Sequence, residues 1–260
     1  MLDRTMLNIE NVSKAFGGVQ ALYRVHFQVR EGHIQAVIGP NGAGKTTLFN
    51  VITGVYAPDE GRIVLDGTEI HGRPMHELVA RGIARTFQNV ELFPSMTVLE
   101  NVLVGRHVRT RCGLVGAMAR WPWVGREERQ SREAAMDLLR FVGLEEAAHK
   151  MSGDLPFGWQ RLVEIARALA SEPRLLLLDE PAAGLNAVET EALADLIQQI
   201  RSRGITVVLV EHDMNLTMDI SDRIVVLDRG RKLAEGTPRE IQSDEAVMEA
   251  YLGRKGQGKR

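Results

Sequence analysis

Short apolar runs separated by helical patterns predict that this chain forms an α/β sheet. The runs at 175–178 and 206–210 are solidly apolar apart from Thr206, which is typical of parallel strands covered on both faces. Earlier runs alternate between apolar and polar positions, as antiparallel strands with one solvated face do. The remaining predicted strands are residues 25–29, 34–38, 62–66 and 223–228. The pattern favours a mixed or largely parallel sheet, accompanied by an antiparallel β subdomain.

Threonine–glutamate spacings mark two helix starts. Thr97 with Glu100 forms a capping-box pattern, in which each side chain bonds the backbone N–H of the other residue. Thr237 is followed by Pro238 and Glu240. This adds a proline at the first helical position, where the missing N–H costs nothing. Both patterns predict a helix that begins directly after the threonine.

The distribution of strands and helices predicts one domain, 1–260, with an insertion. Residues 95–170 contain helical patterns and no predicted strand, so we interpret them as an α-helical insertion subdomain. Residues 1–94 and 171–252 then form the α/β core together with the antiparallel β subdomain. The polar, glycine-rich tail 253–260 is predicted to be flexible.

Within the predicted helical insertion, residues 105–128 mix arginines with Trp121 and Trp123. A folded helical hairpin with buried tryptophans is the interpretation that the composition favours. A docking patch for a partner or a membrane surface is the alternative.

Composition excludes several classes of protein. The chain has 260 residues, 44% of them hydrophobic, and a net charge of −2, so nothing indicates a nucleic-acid binder. The single cysteine, Cys112, is compatible with a reducing compartment. We expect no signal peptide, and no segment approaches the roughly 20 apolar residues that span a bilayer. If the protein works at a membrane, we expect another chain to hold it there.

The segment GPNGAGKT, residues 39–46, matches the phosphate-loop pattern G-x-x-x-x-G-K-[ST]. It lies between a predicted strand and a predicted helix, the context in which backbone N–H groups surround phosphate oxygens. Lys45 would reach the β- and γ-phosphates, and the Thr46 hydroxyl would bind Mg²⁺. The alternative is a glycine-rich turn that matches by chance. The residues predicted to bind the nucleotide here are Gly39, Pro40, Asn41, Gly42, Ala43, Gly44, Lys45, Thr46 and Thr47.

Asp179 and Glu180 follow the apolar run RLLLL at the carboxyl end of a predicted strand. Ligand sites of open α/β sheets lie at such ends. We predict that Asp179 holds Mg²⁺ through a water, and that Glu180 polarises the water that attacks the γ-phosphate. A capped turn would also account for this pair, but the phosphate loop upstream favours the catalytic interpretation.

Two polar residues follow other strand-like runs. His212 comes after the strand 206–210 and could reach the γ-phosphate, although a lone histidine is more often structural. Gln88 comes after the run IARTF and could contact Mg²⁺ or the attacking water. On its own, Gln88 would be an ordinary loop residue. We predict that Glu180, His212 and Gln88 form the catalytic group, with Thr46, Gln88 and Asp179 at the metal.

In this order the motifs resemble those of the nucleotide-binding subunit of ABC transporters. The resemblance covers roughly residues 7–252 and assigns Walker A to 39–46, the Q-loop to Gln88, Walker B to 175–180 and the H-loop to His212. It implies a P-loop NTPase fold and ATP hydrolysis at the interface of a head-to-tail dimer. Each ATP would lie between Walker A of one chain and the signature helix of the other.

The resemblance also places an aromatic residue near the N-terminus to stack on adenine. Phe16, in KAFGGVQAL, occupies that position. An aromatic side chain buried in the core is the alternative interpretation.

The signature segment departs from the family pattern L-S-G-G-Q. Here it reads Leu155, Pro156, Phe157, Gly158 and Trp159, so only Leu155 and Gly158 agree. A helix N-terminus with free N–H groups remains, and a proline is tolerated at that point. We therefore expect an anion receptor in which Gly158 approaches ATP bound to the partner chain.

Finer features resemble the ATPase subunits that drive import of branched-chain amino acids. They are TFQNVELFPSMTVLENVLVGRH, EPAAGLN, EAYLG and the sequence after the signature. In the GLN turn, Asn186 is also predicted to cap a helix, with Glu189 three residues on and Gly204 after its end. The resemblance implies two permease subunits, a second ATPase subunit and, indirectly, a periplasmic or extracellular solute-binding protein. It also implies a cytoplasmic location, peripheral on the inner face of the membrane.

Three alternatives remain. The ATPase subunit of a lipopolysaccharide exporter is close in sequence but normally keeps a serine in the signature. A soluble ABC ATPase of translation or DNA repair would carry two cassettes or long coiled coils, and neither is visible. A nucleotide-binding module without hydrolysis would lack Glu180 or His212, and both are present.

Overall fold

The computed structural model describes residues 4–109 and 122–252, without the side chains of residues 122–124 and 252. The predicted tail 253–260 and residues 110–121 of the predicted hairpin 105–128, including Trp121, lie outside the described residues. Among the described residues, no helix is both long and apolar enough to cross a membrane.

Ten strands are described. Their bounds are β1 Thr5–Phe16, β2 Val19–Arg30, β3 Ile34–Ile38, β4 Glu60–Leu65, β5 Thr68–Glu69, β6 Ile83–Arg85, β7 Leu175–Asp179, β8 Thr206–Val210, β9 Arg223–Asp228 and β10 Arg231–Gly236.

The α-helices of the described residues connect these strands. Their bounds are α1 Lys45–Ile52, α2 Met75–Ala80, α3 Val98–Gly105, α4 Pro122–Phe141, α5 Phe157–Leu169, α6 Ala187–Ser202, α7 Met214–Ile220, α8 Pro238–Ser243 and α9 Glu245–Leu252. Short 3₁₀ turns lie at Arg106–Arg109, Glu145–Ala147 and Ser152–Asp154.

A six-stranded mixed sheet forms the centre, in the order β10-β9-β3-β8-β7-β6. The five strands from β9 to β6 are parallel, and β10 pairs antiparallel with β9. Every residue of β3, β7 and β8 is buried, because helices or the second sheet cover both faces. The sequence pattern therefore predicted the central strands correctly. The predicted ranges 34–38, 206–210 and 223–228 have the same bounds as β3, β8 and β9.

A four-stranded antiparallel sheet, ordered β2-β1-β4-β5, packs against one face of this centre. The predicted strand 25–29 is only part of β2, and β1 was not predicted at all. The cause is local irregularity: Asn11 and Arg24 have φ angles of 50° and 47°, and the β1–β2 register shifts between Ile9 and Val12. Such bulges break the two-residue alternation by which a strand is recognised in sequence.

Helices α3, α4 and α5 pack together through side chains such as Val98, Leu139 and Val163. No strand is described between residues 95 and 170, as predicted. The capping boxes predicted at Thr97 and Thr237 both form. The bounds of the helical insertion as a separate subdomain stay a prediction.

Candidate functional site

The phosphate loop joins β3 to helix α1 at the carboxyl edge of the central sheet. Gly44 is the N-cap residue of α1, with φ of 102°, and within the described part of the chain no side chain caps this helix end. The first N–H groups of an α-helix have no intrahelical partner and attract anions together with the helix dipole. The end of α1 is therefore built to receive a phosphate.

Two glycines of the loop are required by close backbone contacts. A Cβ on Gly39 would lie 2.2 Å from the Leu227 carbonyl oxygen, and one on Gly44 would lie 2.6 Å from the Ala21 carbonyl oxygen. Both distances are far inside van der Waals contact. Strands from both sheets thus press against the loop and fix its shape.

Lys45 lies inside the loop with only 6% of its surface exposed. Its ammonium donates hydrogen bonds to the carbonyl oxygens of Gly39, at 2.7 Å, and Pro40, at 3.2 Å. Burial lowers the pKa of Lys45, whereas the charges of Glu180 and Asp179 act in the opposite direction. A phosphate bound in the loop would bring a negative charge next to Lys45 and so stabilise the buried ammonium further.

Glu180, Gln88 and His212 come together although they are far apart in sequence. Gln88 Nε2 donates to one carboxylate oxygen of Glu180 at 2.8 Å, and His212 Nε2 lies 2.8 Å from the other oxygen. Glu180 follows β7, His212 follows β8, and β7 and β8 are adjacent parallel strands. The fold thus brings these three side chains into contact, and their assignment to one catalytic group stays a prediction.

The backbone of Glu180 is in the left-handed region, with φ of 48°. A residue other than glycine is uncommon there and the conformation is costly. The Glu180 N–H donates to the Val210 carbonyl at 2.9 Å. This contact with β8 helps to hold the turn that aims the carboxylate out of the sheet edge.

Asp179 is the last residue of β7 and is 1% exposed. Arg85 donates to Asp179 Oδ2 at 2.7 Å, while Oδ1 is buried and has no hydrogen-bond partner within residues 4–109 and 122–252. An orphaned carboxylate oxygen is an unmet ligand position. Nowhere in the described residues do three or more His, Cys, Asp or Glu side chains cluster to hold a metal ion. Mg²⁺ typically takes one or two protein oxygens plus phosphate oxygens and water, so the site fits this ion.

Arg85 is a site residue that the motifs did not reveal. It ends β6 and also donates to Asn50 and Thr53 of α1's C-terminal end, at 2.7 and 3.0 Å. Its guanidinium carbon lies 5.6 and 5.3 Å from the ring centroids of Phe49 and Phe87. The sequence signal was faint, because a lone arginine three residues before Gln88 matches no motif.

Glu211 is a second site residue that the motifs did not reveal, although it stands directly before His212. It is 3% exposed and accepts hydrogen bonds from the N–H groups of Ala182, at 2.8 Å, and His212, at 2.9 Å. Burial raises its pKa, and these backbone N–H groups oppose the rise. Glu211 thus ties the turn after Glu180 to the turn that carries His212.

These elements enclose an open cavity of about 720 Å³. Its lining combines the phosphate loop with the three side chains around the carboxylate: Asn41, Gly42, Gly44, Lys45, Thr46, Thr47, Gln88, Glu180 and His212. The structure thus brings six of the residues predicted to bind the nucleotide into one cavity with the predicted catalytic group.

Phe16 ends β1 and its ring is not buried. Phe16 is 40% exposed. Its ring meets the ring of Tyr56 edge to face, with 5.0 Å between the ring centroids, and Lys14 Nζ lies 5.5 Å from the centroid of the Phe16 ring. The interpretation of Phe16 as a core aromatic is wrong, because an exposed ring at the sheet edge contributes no core packing.

The signature segment starts α5, with Pro156 as the N-cap residue and no side-chain cap from any described residue. Phe157 and Trp159 are 46% and 42% exposed. A Cβ on Gly158 would lie 2.6 Å from Glu189 Oε1 of the same chain. This neighbour comes from the start of α6, and the approach of Gly158 to ATP of a partner chain stays a prediction.

Asn186 and Glu189 form the predicted capping box at the start of α6. Gly204, with φ of 84°, follows the helix end, as predicted. Next to this cap, the turn after Glu180 lies against the first residues of α5, where Gly184 is close to Phe157 and Glu189 is close to Gly158.

Comparison with known protein families finds two matches. The family described as "ABC transporter" matches residues 22–183, and the family described as "Branched-chain amino acid ATP-binding cassette transporter" matches residues 231–256. The first match contains the phosphate loop, Gln88, the signature segment and Glu180.

Curated relatives align over nearly the whole chain. The high-affinity branched-chain amino acid transport ATP-binding protein BraF of Pseudomonas aeruginosa is 46% identical, covering 97% of this chain and 99% of its own length. The corresponding LivG of Escherichia coli K12 is 42% identical with the same coverage.

Solved structures share the fold. A nucleotide-free ATP-binding cassette from an ABC transporter has a TM-score of 0.84 at 34% identity, covering 95% of this chain and 99% of its own. The ADP conformation of an ATP-binding cassette of an ABC transporter has a TM-score of 0.85, also at 34% identity, over 96% and 99% of the two chains. With the site geometry described above, these matches show that the chain belongs to the ATP-binding subunits of ABC transporters, which are P-loop ATPases.

Proposed function

We propose that this chain is the ATP-hydrolysing subunit that powers an ABC importer of branched-chain amino acids. The observation that carries the proposal is the 46% identity over 97% of the chain to a branched-chain amino acid transport ATP-binding protein. The contact of Glu180 with Gln88 and His212 supplies the chemistry. The lipopolysaccharide exporter and the soluble ABC ATPase are not favoured by these relatives.

In the proposed reaction, the phosphate loop and α1 hold the phosphates of ATP, and Lys45 shifts from the loop carbonyls to the β- and γ-phosphates. Glu180 accepts a proton from the attacking water, which Gln88 and His212 help to orient. Mg²⁺, held by Thr46, Asp179 and Gln88, would neutralise charge on the phosphates. Arg85 holds Asp179 in place, because its guanidinium donates to the other carboxylate oxygen.

Phe16 is proposed to stack on adenine. Its exposure and its position at the end of β1 support this role, because an exposed aromatic ring braced edge-on by Tyr56 keeps a face available. Pro40, Ala43 and the other phosphate-loop residues complete the proposed nucleotide site.

ATP is proposed to close two cassettes head to tail. The uncapped start of α5, with Gly158, would then meet the γ-phosphate held by the other chain. The second chain is proposed to be a different ATPase subunit or a second copy of this one.

The further proposed partners are two permease subunits and, through them, a periplasmic or extracellular solute-binding protein. No nucleic-acid partner is proposed. The chain would then lie on the cytoplasmic side, peripheral to the membrane.

The segment Gln88–Val98 is proposed to face the permease. It begins at the Gln88 contact with Glu180, and it exposes Phe93 to 49%. Buried Asn101 braces it through hydrogen bonds with the backbone of Phe93, at 2.9 and 3.1 Å. Cysteine pairs between this segment and a cytoplasmic permease loop should cross-link. Cross-links that form only with residues 105–128 would move the docking surface to that segment.

The solute is tested with the complex that copurifies with a tagged full-length chain. We expect ATP hydrolysis to rise when binding protein loaded with leucine, isoleucine or valine is added. Unloaded binding protein and protein loaded with an amide or urea are the controls. Stimulation by the amide or urea alone would contradict the proposed solute class, and a complex without permeases would contradict transport.

A further inference from the structure

Two buried charged residues of α5 hold the backbone next to Gln88. Arg161 and Glu164 are each 1% exposed and pair with each other at 3.0 Å. Glu164 Oε1 accepts a hydrogen bond from the Phe87 N–H at 3.0 Å. Arg161 donates to the carbonyl oxygens of Phe87 and Gln88, both at 2.8 Å. Three charge-assisted hydrogen bonds therefore fix two consecutive residues of this loop.

This pair is not explained by stability alone. Taking both charges out of water is costly, and a buried ion pair is often no better than a well-packed apolar pair. Between the end of β6 and the start of α3 the backbone has no regular hydrogen-bond ladder. Without Arg161 and Glu164, the backbone N–H of Phe87 and the carbonyl oxygens of Phe87 and Gln88 would lose these partners. We therefore interpret the two buried charges as fixing the backbone geometry of this loop.

The same face of α5 reaches back to the signature segment. Phe157, Arg161 and Glu164 are spaced i, i+4 and i+7, so they lie along one side of the helix. The ring centroid of Phe157 lies 5.6 Å from the Arg161 guanidinium carbon. Phe157 also packs against the turn after Glu180, where a Cβ on Gly184 would lie 3.0 Å from its ring. A displacement of the start of α5 would therefore move the contacts that hold Gln88.

We propose that Arg161 and Glu164 are positioning residues that align Gln88 with Glu180 and link that alignment to the position of the signature helix. Neither side chain reaches the carboxylate of Glu180; they act through the Gln88 backbone, whose side chain donates to Glu180 at 2.8 Å. The inference deepens the proposed function, and it rests on the proposed role of Gln88 in hydrolysis.

A double-mutant cycle on the copurified complex tests this. We expect Arg161→Ala to lower kcat by about tenfold or more, because misplacing a catalytic group by about 1 Å can cost 100-fold. ATP affinity of the full-length chain should change by less than about twofold, since the phosphate loop is untouched. In a Gln88→Ala background, Arg161→Ala should cost less than about twofold more, because its effect passes through Gln88.

Conservative and control variants separate positioning from folding. Glu164→Gln keeps an acceptor for the Phe87 N–H and should lose less kcat than Glu164→Ala. The matched control is Arg140→Ala, at the end of α4. It removes exposed ion pairs with Asp137, at 2.7 Å, and Glu145, at 2.8 Å, which are the only ion pairs of Arg140 among the described residues. It should leave kcat within about twofold. If Arg161→Ala fails to fold, Arg161→Lys replaces it in the same cycle, because lysine keeps the charge but loses the planar fork that spans two carbonyls.

Additive losses in the cycle, or equal losses of kcat and ATP affinity, would overturn the inference and leave the proposed function standing. A Gln88→Ala variant with unchanged kcat would instead contradict the proposed role of Gln88, and the inference would fall with it.

Discussion

Two helix N-termini, at α1 and α5, are the ones that we propose to bind phosphate, and they are built differently. The start of α1 is enclosed by its own chain, with Gly39 and Gly44 pressed against strands of two sheets and Lys45 buried at its centre. The start of α5 is exposed and carries aromatic residues, Phe157 and Trp159, in place of small polar ones. In the proposed function, the first end is complete within one chain, whereas the second offers its N–H groups to a phosphate held by another chain. Both ends would then bind phosphate through the same chemistry, and they would differ in which chain completes the site.

Lys45→Ala should have the largest effect. It removes the cation beside the β- and γ-phosphates, and we expect both ATP binding and hydrolysis to fall by about 100-fold or more. Binding and turnover are measured on the full-length chain and on the complex. Lys232→Ala, which removes a 2.9 Å pair with Glu235, is the matched control. Normal turnover in Lys45→Ala would show that the enclosed site is not the catalytic one.

Glu180→Gln should separate binding from chemistry. The amide keeps nearly the same shape but is no base, so hydrolysis should drop by about 100-fold or more while ATP still binds. ATP-dependent dimerisation, followed by light scattering, should increase because the closed state persists. A rate close to that of the unchanged chain would exclude Glu180 as the base.

Gly158→Asp tests the open helix end. A carboxylate at about 4 Å from a phosphate charge costs roughly 4 kcal/mol at a partly desolvated interface, so hydrolysis by the complex should be blocked. The new side chain would also meet Glu189 of its own chain, at 2.6 Å from the Cβ position. The variant is therefore made again with Glu189→Gln, which preserves the capping box and removes that repulsion.

Two readouts interpret the Gly158 variants. If the block persists in the double variant, while the monomer binds ATP normally and Gly158→Ala still hydrolyses ATP, the charge acts on ATP of the other chain. Recovery of hydrolysis with Glu189→Gln would assign the damage to the contact within the chain. Equal loss of ATP binding and hydrolysis would show that Gly158 serves its own fold.

Pro156→Ser should have the smallest effect. Serine at the N-cap accepts a hydrogen bond from the first turn and typically stabilises a helix by about 1 kcal/mol. We expect a higher Tm of the chain and a change in hydrolysis of about two- to tenfold at most, the range of one hydrogen bond of 0.5–1.5 kcal/mol. A loss of activity as large as that of Gly158→Asp would mean that the proline itself shapes the receptor.

The parts of the fold that sequence predicted well are those governed by regular spacing. The largely apolar runs predicted β3, β7, β8 and β9, because nearly all of the residues in these strands are buried. Thr97 and Asn186 formed their capping boxes as their spacing required. Strand β1 was missed because its bulge at Asn11 breaks the alternation.

The site residues also divide into those that stand in a local sequence pattern and those that do not. Lys45 and Glu180 could be predicted because their chemistry needs a fixed local pattern. Arg85 and the pair Arg161–Glu164 could not, because each is defined by partners that the fold brings from distant parts of the chain. A buried arginine has no local pattern that distinguishes it from one on the surface.

The close approach of Leu227 to Gly39 also bears on when the protein becomes competent during synthesis. Gly230 adds a second contact, since its N–H donates to the Ala43 carbonyl at 3.0 Å. The phosphate loop is translated before the β9–β10 hairpin that braces it, and this hairpin follows the other strands of both sheets. Contacts of such long sequence separation form late. We therefore expect a nascent chain to acquire ATP affinity only after the β9–β10 hairpin has left the ribosome, so that a shorter nascent chain cannot occupy nucleotide.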